Sequence, residues 1–130
     1  MKNKTIIIVV DDNELDLLIS SRMIGKVNPE LQVKTYLCGH DVIKCLNESV
    51  EVCKSENIIF LIDVYMEKYT GFQLISELKQ LFVSSKCTVN YYLLSASIDM
   101  GDLLRINADI AIGGFINKPL TVDLVKKLKT

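Results

Sequence analysis

Ile6-Ile7-Ile8-Val9-Val10-Asp11-Asp12 is the stretch whose reading decides the fold. An unbroken β-branched run has no polar position at either parity, so a strand made from it is buried on both faces, as in a parallel sheet covered by helices. The two aspartates that close the run then stand at the carboxyl end of that strand. Asn57-Ile58-Ile59-Phe60-Leu61-Ile62-Asp63 repeats the arrangement and is the most apolar strand of the chain.

Between and around these strands the pattern turns helical. Leu15, Leu18, Ile19, Met23 and Val27 recur at helical spacing until Asn28-Pro29 ends the helix. Leu31–Leu37 reads as a second strand, followed by a helix around Asp41–Asn47. The polar stretch Glu48–Glu56 reads equally well as a prolongation of that helix or as loop. Thr70-Gly71-Phe72-Gln73 has the form of a capping box, and the helix it opens carries Leu74, Ile75, Leu78, Leu81 and Phe82. Thr88–Ser95 is a fourth strand, Asp99–Asp109 a polar helix weakened by Gly101, and Ile112–Asn117 a short fifth strand. Thr121 caps a last helix with Leu124, Val125 and Leu128 inward, and Lys126, Lys127 and Lys129 suit the negative end of its dipole. Five β-α units without a repeat or a linker predict one doubly wound α/β domain over residues 1–130. The pattern fixes this class and leaves the strand order open.

The totals fit a globular chain: 130 residues, 49% hydrophobic, formal net charge -1. That balance speaks against disorder and against a generic nucleic-acid or membrane surface, which needs a basic excess. The longest apolar runs, Ile6–Val10 and Ile58–Ile62, are far short of a membrane span. Met1–Lys4 is basic and precedes apolar residues, but Asp11 and Asp12 interrupt any leader, so the chain reads as cytoplasmic. Cys38, Cys45, Cys53 and Cys87 form no CxxC pair and His40 is the only histidine, which gives a zinc site little support. Four reduced, mostly buried thiols are expected. His40 reads as a surface or helix-start residue.

The chemistry is expected where the strands end, because open α/β sheets bind ligands at their carboxyl edge near a switch in strand order. Strand one ends in Asp11-Asp12, strand three in Asp63, strand four in Ser95, and strand five runs into Lys118. Three carboxylates in one pocket repel one another unless a cation intervenes. Oxygen donors with no nearby nitrogen or sulfur favour a hard ion such as Mg²⁺. A lysine and a hydroxyl beside that ion suit the oxygens of a phosphoryl group, and a remaining carboxylate can act as nucleophile.

These residues carry a family resemblance. Ile8-Val9-Val10-Asp11-Asp12-Asn13-Glu14, Leu61-Ile62-Asp63-Val64-Tyr65-Met66 with Gly71, Leu94-Ser95-Ala96, and Phe115-Ile116-Asn117-Lys118-Pro119 resemble, in this order, the receiver domain of two-component response regulators. The resemblance spans essentially the whole chain. It implies a flavodoxin-like five-stranded parallel sheet of order 2-1-3-4-5 and a switch protein rather than an enzyme acting on a separate substrate. It implies Asp63 as phosphoacceptor, with Asp12, Asp63 and the backbone carbonyl of Tyr65 as Mg²⁺ ligands and Asp11 acting largely through metal-bound water. Lys118 would pair with the acceptor or its phosphoryl group, Ser95 would bond a phosphoryl oxygen, and Phe115 would be the switch aromatic. The Lys118–Pro119 bond would be cis. The implied donor is a histidine kinase or histidine phosphotransfer protein. Output would pass to a further protein through the last two helices and strand five, from about Asp99 to Lys129, without direct contact to nucleic acid or membrane.

The chain departs from the family pattern at the acceptor loop: Glu67 stands where proline is usual, Thr70 where Asp or Asn is usual, and Tyr65 is bulky at a position that tunes phosphoryl lifetime. No required group is lost. A pseudo-receiver would lack an acidic residue or the lysine, and both are present. An Asp-nucleophile phosphatase of the haloacid-dehalogenase kind carries D-x-D, which Asp11-Asp12-Asn13-Glu14 does not match. A flavodoxin relative binding a nucleotide or flavin needs a phosphate loop rich in Gly, Ser or Thr, and the first turn has none.

Overall fold

The alternation of strand and helix is realised in full in the computed structural model, which describes residues 4–48 and 57–128. The chain runs β1 (Thr5–Val10), α1 (Glu14–Val27), β2 (Gln32–Tyr36), α2 (Gly39–Glu48), β3 (Asn57–Asp63), α3 (Gly71–Leu81), β4 (Thr88–Ser95), α4 (Met100–Ala108), β5 (Ile112–Asn117) and α5 (Val122–Lys126). Glu48 closes α2, and the rest of the ambiguous stretch to Glu56, with Cys53, lies outside the described residues. Among the described residues no helix is long and apolar enough to cross a membrane.

All strand pairings are parallel, in the order β2-β1-β3-β4-β5. Strand order therefore reverses at β1, which pairs β2 on one side and β3 on the other. Right-handed crossovers place a helix on opposite faces according to the direction in which the chain steps across the sheet. Stepping outward to β2 puts α1 on one face, where α5 joins it, and stepping back through β3, β4 and β5 puts α2, α3 and α4 on the other.

This sandwich explains the unbroken apolar runs. Ile6, Ile8, Val10, Ile58, Phe60 and Ile62 pack with the side of Val42, Leu74, Leu78 and Ile106. Their neighbours Ile7, Val9, Ile59 and Leu61 pack with Leu17, Ile24, Val125 and Leu128. Every side chain of Ile6–Val10 is fully buried, so a one-residue slip gains nothing on either face, and the register is left to the strand ends and helix caps. The caps at Thr70 and Thr121 form as the sequence predicts, and Asp99 supplies a further one. Thr70 accepts from the Gln73 amide at 3.1 Å while Gln73 Oε1 accepts from the Thr70 amide at 2.9 Å, and Asp99 and Thr121 cap α4 and α5.

Two details differ from the sequence reading. In α1 the buried stripe is Leu17, Ser20 and Ile24, and Leu15 and Leu18 face outward. Apolar residues lie on nearly every face of this helix, so spacing alone does not orient it. Cys38, Cys45 and Cys87 are only half-buried, because they lie in loops and on a helix rather than in the sheet.

β5 carries a bulge. Tyr91 pairs with Ile112 but Tyr92 pairs with Gly114, which leaves Gly113 as the extra residue. Ile112 and Phe115 consequently point to the same face. A side chain at Gly113 would strike the Tyr92 ring at 2.7 Å, and Gly114 holds φ 157°.

Gly71 ties the fold to the carboxyl edge. A Cβ there would stand 2.7 Å from the Asp63 carbonyl oxygen and 2.7 Å from Leu93 Cδ2. Backbone cannot yield as a flexible side chain can, so Gly71→Ala should destabilise the fold by about 1–3 kcal/mol, the usual cost of overpacking. Urea denaturation checks this, and a loss below about 0.5 kcal/mol would show that α3 shifts freely at its start.

Candidate functional site

Because β1 and β3 are neighbours, the acidic residues that follow or end them meet at the point where strand order reverses. The Asp11 amide donates to the Tyr36 carbonyl at 3.1 Å, continuing the β1–β2 ladder past the last strand residue. Its side chain is buried, with Oδ1 accepting from the Asn13 amide at 3.0 Å and Oδ2 lying 2.6 Å from Lys118 Nζ. Asp12 is exposed and its Oδ2 accepts from the Glu67 amide at 3.1 Å, which ties the end of β1 to the loop after β3. Asp63 is buried at the end of β3, 3.5 Å from Lys118 Nζ. Oxygens of Asp11, Asp12 and Asp63 all lie within 4.8 Å of one another.

The charges do not balance. At an effective dielectric near 20, like charges at this separation repel by roughly 3–4 kcal/mol. Burial raises the Asp63 carboxyl above its ordinary value, the nearby Asp11 charge raises it further, and Lys118 only partly opposes them. Lys118 is itself pushed up to about 12: its burial works against the charge, but hydrogen bonds to Asp11 and Asp16 outweigh it. The donor set is all oxygen and its charge is in excess, so it fits a hard divalent cation such as Mg²⁺, held by Asp11, Asp12 and Asp63.

Ser95 and Lys118 arrive together, since the Lys118 amide donates to the Ser95 carbonyl at 2.9 Å. The Lys118–Pro119 bond is cis, as the resemblance implies. Ser95 is buried, but its hydroxyl is turned toward its own loop, donating to the Ser97 carbonyl and accepting from the Ser97 amide. The Tyr65 side chain leaves the pocket altogether. Its hydroxyl donates to Asp102 Oδ2 at 2.7 Å and accepts from the Asp99 amide at 3.3 Å, and the bond to Asp102 raises the phenol above its ordinary value. Phe115 is partly buried and packs on the side of α3 and α4, outside the carboxylate cluster. His40 is exposed near the start of α2, with its ring 4.9 Å from that of Tyr69.

The structure thus brings Asp11, Asp12, Asp63 and Lys118 together, sets Ser95 beside them with its hydroxyl engaged elsewhere, and packs Phe115 against the hydrophobic core. Two participants escaped the sequence reading. Asp16 places Oδ2 3.0 Å from Lys118 Nζ, and Asp102 holds Tyr65. The only signal for Asp16 was its place three residues after the capping Asn13, on the turn above the sheet edge. Nothing in the sequence marked Asp102.

No protein-family model matches the sequence, and no curated protein matches it. Solved structures do. A two component response regulator from Cytophaga hutchinsonii is similar at a TM-score of 0.82 and 24% identity, over 96% of this chain and 93% of that one. The chemotaxis protein CheY4 of Vibrio cholerae is similar at 0.73 and 18%, over 95% and 93%. The co-crystal structure of the Saccharomyces cerevisiae histidine phosphotransfer signaling protein Ypd1 with the receiver domain of its downstream response regulator Ssk1 gives 0.74 and 15%, over 98% and 87%. The fold is that of response-regulator receiver domains, in the flavodoxin-like order 2-1-3-4-5.

The charge imbalance has a measurable consequence. A carboxyl whose folded value is raised favours the folded protein while protonated. That advantage fades as pH rises from the ordinary aspartate value through the raised one, and above both the ionised group counts fully against the fold. In metal-free buffer at pH 7, Asp63→Asn should therefore melt a few degrees above the parent, with the gap closing under acid and in saturating Mg²⁺. An Asn variant that melts at or below the parent would mean that Lys118 already compensates Asp63.

Proposed function

We propose that the chain, over residues 1–130, is the receiver domain of a two-component phosphorelay in which Asp63 accepts a phosphoryl group and thereby switches a partner-binding face. The observation that carries this reading is the convergence of Asp11, Asp12, Asp63 and Lys118 at the switch point of a receiver fold. Mg²⁺ is the proposed cofactor, and when bound it offsets the charge of the carboxylates and of the incoming phosphoryl oxygens. Asp12, Asp63 and the Tyr65 carbonyl would hold it directly, with Asp11 acting through water. The chain is cytoplasmic in this reading.

The donor is a phosphohistidine on a histidine kinase or a histidine phosphotransfer protein, a class for which the similar Ypd1–Ssk1 pair is a precedent. An Asp63 carboxylate oxygen forms a bond to phosphorus as the P–N bond breaks, and the departing imidazole nitrogen takes up a proton. Lys118, charged at any physiological pH, faces the transferred oxygens. Ser95 gives up its bonds to Ser97 and donates to a phosphoryl oxygen. The space vacated lets Phe115 turn inward, which alters the face of α4, β5 and α5 seen by a partner protein. The chain catalyses its own phosphorylation and dephosphorylation and acts on no other substrate.

Intact-mass measurement after incubation with a phosphohistidine donor and Mg²⁺ should show one added phosphoryl group on the parent and none on Asp63→Asn. A parent that never takes up phosphate would leave a binding module with a receiver fold. Uptake that persists in the Asn variant would move the acceptor elsewhere.

The two neighbouring aspartates should differ. Asp12→Ala should weaken Mg²⁺ binding by at least about tenfold, roughly 1.4 kcal/mol, and by more than Asp11→Ala. Asp12 is exposed toward solvent, whereas Asp11 is buried and already paired with Lys118. Equal losses in a calorimetric titration would reject direct ligation by Asp12 alone of the pair.

A further inference from the structure

Lys118 has a carboxylate partner that lies outside the candidate metal set. Its ammonium is 2.6 Å from Asp11, 3.0 Å from Asp16 and 3.5 Å from Asp63. Among the described residues only Asp11, Asp12 and Asp63 group closely enough to share an ion, so Asp16 is a neighbour of the lysine and not of the metal.

The start of α1 fixes Asp16 in place. Asn13 caps the helix, its side chain accepting from the Asp16 amide at 3.1 Å, and the Asn13 amide is itself held by Asp11 Oδ1 at 3.0 Å. Asp11 and Asp16 are thus joined through one turn and flank the same ammonium. They differ in exposure: the Asp11 side chain is 3% accessible and that of Asp16 is 34%.

An ammonium resting on Asp11 and Asp63 competes with a divalent ion for the same oxygens. It has three protons to donate, and a carboxylate on its outer side takes one of them away from the pocket. We infer that Asp16 is a positioning residue: it anchors Lys118 on the α1 side together with Asp11, which holds the ammonium 3.5 Å from Asp63, poised beside the acceptor, and leaves the Asp63 oxygens to a divalent cation. The inference rests on the proposed receiver function and deepens it. Removing the anchor lets Lys118 close on Asp63 as well and compete there with the cation.

The test is a thermodynamic cycle on Mg²⁺ binding, measured by calorimetry. Asp16→Asn keeps the side-chain shape and the capped backbone amide, and should weaken Mg²⁺ binding roughly three- to tenfold, up to about 1.4 kcal/mol. Asp16→Glu should restore most of the loss. In a Lys118→Gln background the same Asp16→Asn change should shift affinity by less than about twofold, because the residue then has nothing to anchor. Equal losses in both backgrounds would show a plain through-space charge effect and overturn the inference, as would no loss in the parent background. A metal-free readout separates this idea from the function it rests on: the Lys118 ε-methylene NMR signal should move in Asp16→Asn without any Mg²⁺ present. A parent that binds no Mg²⁺ overturns the receiver reading and the metal-freeing role of Asp16 together. A Lys118 signal unmoved by Asp16→Asn overturns the anchor itself.

Discussion

One ammonium among too many carboxylates is the interaction on which the carboxyl edge depends. Lys118 touches Asp11, Asp16 and Asp63, and Asp12 stands within reach of the same cluster. A buried charge without a partner is costly, so Asp11 and Lys118 stabilise each other only as a pair. The surplus negative charge then falls on Asp63, whose carboxyl burial and Asp11 both push upward. A nucleophilic carboxylate must be ionised, and ionising this one is easier once another positive charge is present. The same imbalance that makes the isolated site strained makes it receptive to a cation and to the anionic group that a cation brings.

The fold prevents that strain from relaxing. Asp11 and Asp63 follow or end neighbouring strands whose side chains are buried on both faces, and close-packed interiors do not slide to separate two charges. The loop between Asp63 and α3 is braced from several sides. Asp12 receives the Glu67 amide, the Gly71 amide donates to the Val64 carbonyl at 2.9 Å, and the Tyr65 hydroxyl rests on Asp102. Glu67 and Thr70 replace the residues usual in such loops without opening it, because Glu67 is held by its backbone amide and Thr70 by a complete capping box.

Strands and strand ends were legible in the sequence for a physical reason. A run such as Ile6–Val10 has no polar parity and can only be a doubly buried strand, so the polar residue that ends it marks the sheet edge. The capping box at Thr70 and the cap at Thr121 were legible because they are local. Strand order was not, since apolar runs carry no address for their neighbours; only the family resemblance implies it, and the strand pairing shows it. The inward face of α1 was obscured by leucines all round the helix. Asp16–Lys118 and Tyr65–Asp102 join residues far apart in the chain through exposed or partly exposed side chains, where no periodicity operates. The turn of the Ser95 hydroxyl toward Ser97 is a rotamer choice that residue type does not reveal.

Two routes lead from Asp63 toward α4, and their magnitudes differ in kind. The polar route runs through Tyr65, whose hydroxyl bonds Asp102 at the first turn of α4. It is exposed, so water competes for both partners and little of the bond survives as a net gain. The packing route, in the proposed switch, would run through Ser95 and Phe115. Phe115 is already partly buried, and covering the remainder of an aromatic ring adds roughly 1 kcal/mol at about 25 cal/mol per Å². Neither alone would carry a two-state change from one population to the other, which takes several kcal/mol. Under the proposed phosphorylation, electrostatics would supply the greater share, since a phosphoryl group would add close to two negative charges where Asp63 already sits among like charges. In the proposed switch the drive would therefore come from Lys118 and the candidate metal site, and Tyr65 and Phe115 would set the direction in which the stored imbalance is released.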